Sequence, residues 1–548
     1  MTDTVGTPET TAPDGNLGSR LTGSTELARN ALGLPQLLFC IVTGSAPLAA
    51  MMFNDPLSGS GIGIAVPAAF WLAGFSFILF SVGYVEMARR KTTAGGFYSY
   101  TSYGFGRIIG LGTAIAIVGA YLLFAVGVNG VTTYFADTSL KSLFGFSMDW
   151  RIYATILIIL LFTVTYFHVE MVARILGVAL LGELLLLFIF SFAVLFKGGG
   201  PDGIVWSALN PAGIFGHGAG VAGAARVFGA SAAGVGFFGA YWSWVGFEMA
   251  PNYAEETRNP KKMMAYATYG SVIGLAIVFT FWAWMLVTSY GGAKDQWPWA
   301  VAVQYGIKAH APASVGLPAG NYASVYYPVA QKFVGAWLKD LFEILIITGS
   351  FACSLAFWNT SNRYLFSMGR EGILPRSFGR THATHKSPFV ATTFTLCFVV
   401  VFTLLFAVGI MGGAQRTALG VGVSNPIVAL SQVGTWWPFQ GNLLLFTIMT
   451  LCSIAIIVYF LRPENRDGFH WFKTFLAPLL GALSIMFAIY LMVKNRPALL
   501  GTPNTGFTFA TPFIVIAVFL VGVGLALGYR KWSIARYEAV GKFVHEEA

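Results

Sequence analysis

Apolar residues gather into twelve stretches separated by polar or glycine-rich segments. They fall near residues 33–53, 62–87, 107–135, 150–167, 172–196, 232–250, 264–290, 338–361, 388–411, 440–461, 474–494 and 508–530. Each reaches the roughly 17–25 residues that a transmembrane helix needs. The pattern predicts an all-α polytopic membrane protein with twelve transmembrane helices. Two stretches are interrupted. Thr43-Gly44-Ser45-Ala46-Pro47 breaks the first, and Trp244-Val245-Gly246-Phe247-Glu248-Met249-Ala250-Pro251 ends the sixth. A break frees backbone N–H and C=O groups that lipid cannot satisfy. Such backbone persists at membrane depth only where it lines a cavity and meets water, ions or a substrate. Paired interruptions in two halves of a chain point to a transporter's binding site.

Spans 1–5 (residues 33–196) and spans 6–10 (residues 232–461) each open with a broken helix. Five is odd, so the second half enters the membrane in the opposite sense, which is the arithmetic of an inverted repeat. Helices 11 and 12 (residues 474–530) lie outside it. Residues 1–30 are rich in Thr, Gly, Pro and Ser and lack the apolar segment of a signal peptide, so a disordered cytoplasmic tail is expected there. A permease domain over 31–530 and a cytoplasmic tail over 531–548 complete the organisation. The loops 197–231 and 291–337 are expected outside, as short interfacial helices or entrance covers.

Composition agrees with a bilayer-embedded chain. The 548 residues are 56% hydrophobic and 10% charged, against about 25% charged in soluble domains. The net charge of +10 has no soluble face on which to bind nucleic acid. About two-thirds of the 33 Lys and Arg fall on the side of the N-terminus, which predicts both termini in the cytoplasm and insertion in the plasma membrane. Cys40, Cys353, Cys397 and Cys452 lie in apolar spans without metal-ligand spacing and read as packing residues.

Candidate chemistry concentrates at the breaks. Pro47 removes a backbone donor and disfavours helical geometry at Ala46. The N–H groups of Gly44, Ser45 and Ala46, beside Thr43, are expected to open a new half-helix and attract a carboxylate. A simple proline kink is the competing reading. At the second break, Glu248 follows Gly246 and Phe247. A carboxylate at this depth costs roughly 2.5–3.5 kcal/mol on insertion scales and by default serves a function. Glu248 is placed to bind a proton, to balance a cation or to join the half-helices; an interfacial position is the alternative. Trp242 is placed to cover a ligand, or to pack as a core aromatic. Ser350 and Ser354 share one face of span 8 and suit sodium, or helix–helix hydrogen bonding. Glu183 and Glu343 are further intramembrane proton or ion candidates, Glu343 with an interfacial alternative. Gly234-Val235-Gly236-Phe237-Phe238-Gly239 fits a dinucleotide fingerprint, but it sits in a membrane span and follows no strand. Close packing explains it better. No metal or cofactor is expected.

Several stretches resemble the amino acid–polyamine–organocation superfamily. They are Thr43-Gly44-Ser45-Ala46-Pro47-Leu48, Ala94-Gly95-Gly96-Phe97-Tyr98-Ser99-Tyr100, Gly246-Phe247-Glu248 with the exit loop Ala254 to Lys261, and the segment Asn362 to Pro375. The likeness covers roughly residues 30–530. It implies a leucine-transporter-type fold with a 5+5 inverted repeat. It further implies a substrate carboxylate on the amides of Gly44 to Ala46 and an amino group near carbonyls of both breaks. Trp242 matches a gating aromatic, Glu248 a proton-sensing position, and Ser350 with Ser354 a second sodium site. The expected function is a secondary active permease that moves an amino acid or related amine by alternating access, coupled to a proton. Sodium symport and exchange are alternatives, and a non-transporting receptor on the same scaffold is a third. An enzyme would need clustered His, Asp or Cys at one depth, and the chain has seven His, mostly in loops.

Overall fold

The computed structural model describes residues 33–91, 93, 95–167, 169–215, 233–254, 257–291, 324–382, 385, 387–405, 426–500 and 506–541. The expected N-terminal tail, residues 542–548 and most of the loop 291–337 lie outside the described residues, as do Ala94, Glu255 and Glu256. Helices carry the fold, and among the described residues no strand forms. Nine helical runs among them are long and apolar enough to cross a membrane, and Phe389–Leu405 is a shorter apolar helix. The chain is a multi-pass membrane protein.

The first run contains α1 (Leu34–Ser45), a break at Ala46, a helical turn over Pro47–Ala49, a π-helical turn over Ala50–Asn54, and α2 (Asp55–Ile62). Next come α3 (Val66–Arg90), α4 (Phe97–Phe105), α5 (Arg107–Phe144), α6 (Trp150–Phe167), α7 (Val169–Phe196) and α8 (Ala233–Trp242). The rest are α9 (Pro260–Tyr290), α10 (Tyr326–Phe333), α11 (Ala336–Arg370), α12 (Phe389–Leu405), α13 (Pro426–Leu461), α14 (Ala477–Lys494), α15 (Gly506–Trp532) and α16 (Ile534–Ala539).

The expected end of the first span at Phe53 is corrected, because the helix continues to Ile62. Asn54-Asp55-Pro56 reads as a turn, yet Pro56 falls in the first turn of α2, where a missing N–H costs nothing. Asp55 is thereby carried into the core, fully buried. Helix α15 runs to Trp532, two residues past the expected end of the last span.

Helix α5 forms the central post, with α4, α11, α13 and α15 packed on it. The broken helices lie against each other. A Cβ added at Gly239 of α8 would fall 2.4 Å from the Asn54 carbonyl and the Ser58 hydroxyl. The Ser58 hydroxyl donates to the Gly236 carbonyl at 3.0 Å. The glycine pattern of α8 therefore packs helix on helix, as small residues do in membranes. Helix α15 presents Phe509, Phe513, Ile516 and Leu520 outward, as a lipid-facing surface must. Outside the spans, Arg90 holds Asp467 at 2.6 Å. The guanidinium keeps that exposed carboxyl below the usual carboxylate range.

Described parts of the long loops fold onto the bundle. The Trp71 and Trp284 indoles donate to the carbonyls of Leu209 and Val205 at 3.1 and 2.8 Å.

Candidate functional site

The first break is sharp. Ala46 adopts φ 39, ψ 72, a left-handed conformation that costs an alanine about 1–2 kcal/mol. Pro47 drives it by crowding the helical region of the residue before it. The break therefore falls at Ala46, later than the expected opening of a half-helix at Gly44. Gly44 and Ser45 lie in the last turn of α1, where N–H groups bond back along the helix. The Ala46 N–H is used likewise, on the Val42 and Thr43 carbonyls at 3.1 and 3.2 Å. The expectation that these three amides are free donors is corrected on that ground. Beyond the break Pro47 has no N–H, and Ala50 bonds to the Ala46 carbonyl at 2.8 Å. Leu48 and Ala49 are thus the donors that helix geometry leaves at the start of the second half.

The second break touches the first. Gly246 has φ 130, and a Cβ there would sit 2.8 Å from the Gly44 carbonyl carbon and the Ser45 nitrogen. The Ser45 hydroxyl reaches the Trp244 carbonyl at 3.5 Å. Glu248 is fully buried and has both oxygens engaged. The Tyr121 hydroxyl donates to Oε1 at 2.6 Å and the Gly246 N–H to Oε2 at 2.9 Å. The Tyr84 hydroxyl donates to the Glu248 carbonyl at 3.1 Å. Glu248 thus ties the second break to α5, and its backbone ties it to α3.

Beside the crossing lies a pocket with about 350 Å³ of empty space, part of it open to solvent, walled by Gly44, Ser45, Ala46, Ala49, Ala50, Phe53 and Asn54 of the first broken helix. Val128 and Val131 of α5, Trp242 of α8, and Cys353 and Phe357 of α11 complete it. No charged side chain is among these residues. Trp242 meets Phe53 edge-on at 5.9 Å and stacks on Phe238 at 5.5 Å. Among the expected substrate residues, Gly44, Ser45, Ala46 and Trp242 line the cavity. Thr43 and Gly246 lie behind it, and Phe247 packs on Phe77 and Phe80 of α3.

On span 8 the cavity is met by Cys353 and Phe357, while Ser350 and Ser354 are buried on a neighbouring face. Gly349, Cys353 and Phe357 look toward the first broken helix and α7. The Cys353 thiol contacts the Gly44 carbonyl at 3.3 Å. The Ser350 hydroxyl bonds back to the Ile346 carbonyl of its own helix at 2.6 Å. Ser354 is buried, and its hydroxyl has no hydrogen-bond partner among the described residues. Neither serine lines the cavity. Glu343 pairs with Lys339 at 3.1 Å and accepts from Ser142 at 2.9 Å.

Sequence reasoning missed Asp55 and Cys353. The Tyr326 hydroxyl donates to Asp55 Oδ2 at 3.2 Å. Asp55 lay outside the expected span, and Cys353 read as packing. Its spacing with Gly349 and Phe357, four residues either way, is the signal that would have found it.

The profile of the family described as "Amino acid permease" matches residues 32–523. This chain belongs to the amino acid permease family. The permease is similar to the branched-chain amino acid permease BcaP of Bacillus subtilis (strain 168), with 23% identity covering 80% of this chain and 83% of that one. It is also similar to the methylthioribose transporter of the same organism, with 22% identity covering 80% and 83%. Among solved structures, a manganese transporter of Eremococcus coleocola matches with a TM-score of 0.53 and 11% identity, covering 95% of this chain and 99% of that one. That likeness speaks to fold alone. The permease is a membrane transporter, and its relatives are permeases and transporters rather than enzymes.

The thiol in the cavity gives a direct test of the site. A small methanethiosulfonate reagent is expected to modify Cys353 in a Cys40→Ser, Cys397→Ser background. A bound substrate at about ten times its Kd should slow that labelling by about tenfold, the fraction of empty sites left. Labelling that saturating substrate leaves unchanged would place the ligand elsewhere.

Proposed function

We propose that this permease is a secondary transporter of neutral amino acids with apolar side chains, driven by a proton gradient. The carrying observation is the cavity where the two breaks cross, lined by backbone, mostly apolar side chains and the polar Ser45 and Asn54, without a charged group. A dicationic substrate would leave a charge unpaired there. Phe53, Val128, Val131 and Phe357 suit a branched or aromatic side chain. Similarity to a branched-chain amino acid permease supports the same class.

In this reading twelve helices, ten of them in a 5+5 inverted repeat, sit in the plasma membrane with both termini cytoplasmic. Transport proceeds by rocking of spans 1, 2, 6 and 7 against spans 3, 4, 8 and 9. The substrate carboxylate takes the Ala49 N–H at the start of the second half-helix, where Ala49 faces the cavity. Its amino group takes the carbonyls that end the half-helices. Trp242 covers the ligand from the α8 side.

Uptake of labelled leucine into proteoliposomes tests the reading, with proton and sodium gradients imposed separately. A proton gradient is expected to drive accumulation. Accumulation only with sodium would make the protein a sodium symporter, and exchange without accumulation an exchanger. Binding without flux would make it a receptor. No binding, uptake or exchange over a broad amino acid panel would refute the reading. Trp242→Ala is expected to raise KM by roughly tenfold, equivalent to about 1.4 kcal/mol of lost contact.

A further inference from the structure

Beyond the last span the chain turns back onto the bundle and is held there by the tip of a short arm. Helix α15 ends at Trp532, and α16 (Ile534–Ala539) crosses the surface without burying a residue. Arg107, at the start of α5, stands over the Tyr537 ring at 5.8 Å. The next two residues go inward. Val540 is 2% exposed, and Gly541 is buried at φ 73. A Cβ at Gly541 would fall 3.1 Å from the Cβ and hydroxyl of Ser102 in α4. A glycine there lets the chain take this left-handed path so close to α4.

The slot also holds a carboxylate. Glu371, directly after α11, is buried. Its Oε1 accepts from the Tyr98 hydroxyl of α4 at 2.8 Å, and its Oε2 accepts from the Gly541 N–H at 3.3 Å. One acid thus ties α4, the end of span 8 and the C-terminal arm. The Tyr529 hydroxyl, at the root of the arm, donates to the Ile373 carbonyl at 2.7 Å.

Helix α4 bears on movement because of where it begins. A Cβ at Gly96 would sit 3.4 Å from Asn252 Oδ1, 3.5 Å from the Tyr364 hydroxyl and 3.6 Å from the Tyr84 hydroxyl. Those side chains belong to the exit of the second break, to span 8 and to span 2. Spans 2 and 6 are in the group proposed to rock, and span 8 is in the group they rock against. The start of α4 is therefore a wedge where the two groups meet. Its other end is fixed, because Arg462 donates to the Tyr103 and Gly104 carbonyls at 3.1 and 2.6 Å.

We propose that the C-terminal arm, residues 533–541, is a displaceable clamp that slows opening of the cytoplasmic side. This rests on the transport reading and adds a control element to it. Seated, the arm completes the hydrogen bonding of Glu371 and keeps the wedge on span 8. Released, it takes one charge-assisted hydrogen bond and the Val540 contact with it, so α4 parts from span 8 at lower cost. An arm with an exposed helix and a two-residue tip leaves without unfolding the bundle, as segments with few buried contacts do.

The experiment compares the full-length protein with a chain stopped after Trp532 and with Gly541→Val. Leucine exchange is read in proteoliposomes at saturating substrate. Labelling of Cys353 by an impermeant methanethiosulfonate is read in inside-out vesicles, in the Cys40→Ser, Cys397→Ser background. Both variants are expected to exchange and to label faster, by up to about tenfold, the weight of one hydrogen bond to a charged group. A synthetic peptide of residues 533–548 added to the shortened chain is expected to slow both again. Full-length rates in both variants overturn the proposal. Slower exchange with a lowered melting temperature also overturns it, since the arm would then be structural support. Should the shortened chain fail to fold, unchanged or slower labelling in Gly541→Val overturns it. Absence of leucine exchange in the full-length protein would instead strike the transport reading, while Cys353 labelling would still report on the arm.

Discussion

Gly246→Ala is expected to abolish leucine uptake and sharply lower the yield of monodisperse protein. At φ 130 the backbone occupies a region that an L side chain enters only under strain, about 1–3 kcal/mol. The new Cβ would also stand 2.8 Å from two backbone atoms of the opposing break, the Gly44 carbon and the Ser45 nitrogen. Backbone cannot rotate away as a side chain can. Relief requires the two broken helices to part, and overpacking of that kind adds about 1–3 kcal/mol. Gly44→Ala is the matched control. Its Cβ would meet the Gly246 Cα at 3.1 Å and the flexible Met249 sulfur at 3.2 Å. It should fold and transport with reduced rate. Wild-type transport by Gly246→Ala would mean that the breaks do not meet as described.

Much of this architecture was legible in the apolar pattern, because lipid requires each crossing segment to be apolar and helical. The break at Ala46 was legible for a local reason, since Pro47 acts on the residue before it. The length of the first helix was not. Asn54-Asp55-Pro56 carries turn chemistry, and only burial among other helices stabilises a helix across it. The same cause lengthens α11 beyond its expected end, where Met368 and Gly369 in its last turn are buried.

The site was legible as a pair of breaks and illegible in its facing. Ser350 and Ser354 drew notice because hydroxyls stand out in an apolar run. The cavity is met by Cys353 and Phe357, one rotational step away on the same buried helix, and sequence alone does not fix that rotation. Glu183 had no visible partner in sequence because its neighbours are a missing side chain at Gly349 and a backbone N–H at Leu48. Neither leaves a mark in a list of polar residues.

Glu248 separates a structural acid from a coupling one. Glu248→Ala removes the acceptor for the Gly246 N–H and for the Tyr121 hydroxyl. Each buried donor left unmatched costs about 1–3 kcal/mol, and transport is expected to fall to background. Glu248→Gln keeps one acceptor for Gly246 and offers its amide N–H to the Tyr121 oxygen. It should retain exchange within roughly an order of magnitude, the effect of replacing one charge-assisted hydrogen bond by a neutral one. It should also retain accumulation under a proton gradient if the residue holds the break together and the proton rides elsewhere. Tyr121→Phe should cost less than Glu248→Ala. The two together should cost less than the sum, as expected for partners in one network. If Glu248→Gln instead exchanges leucine freely and loses accumulation, the coupling proton rides on Glu248.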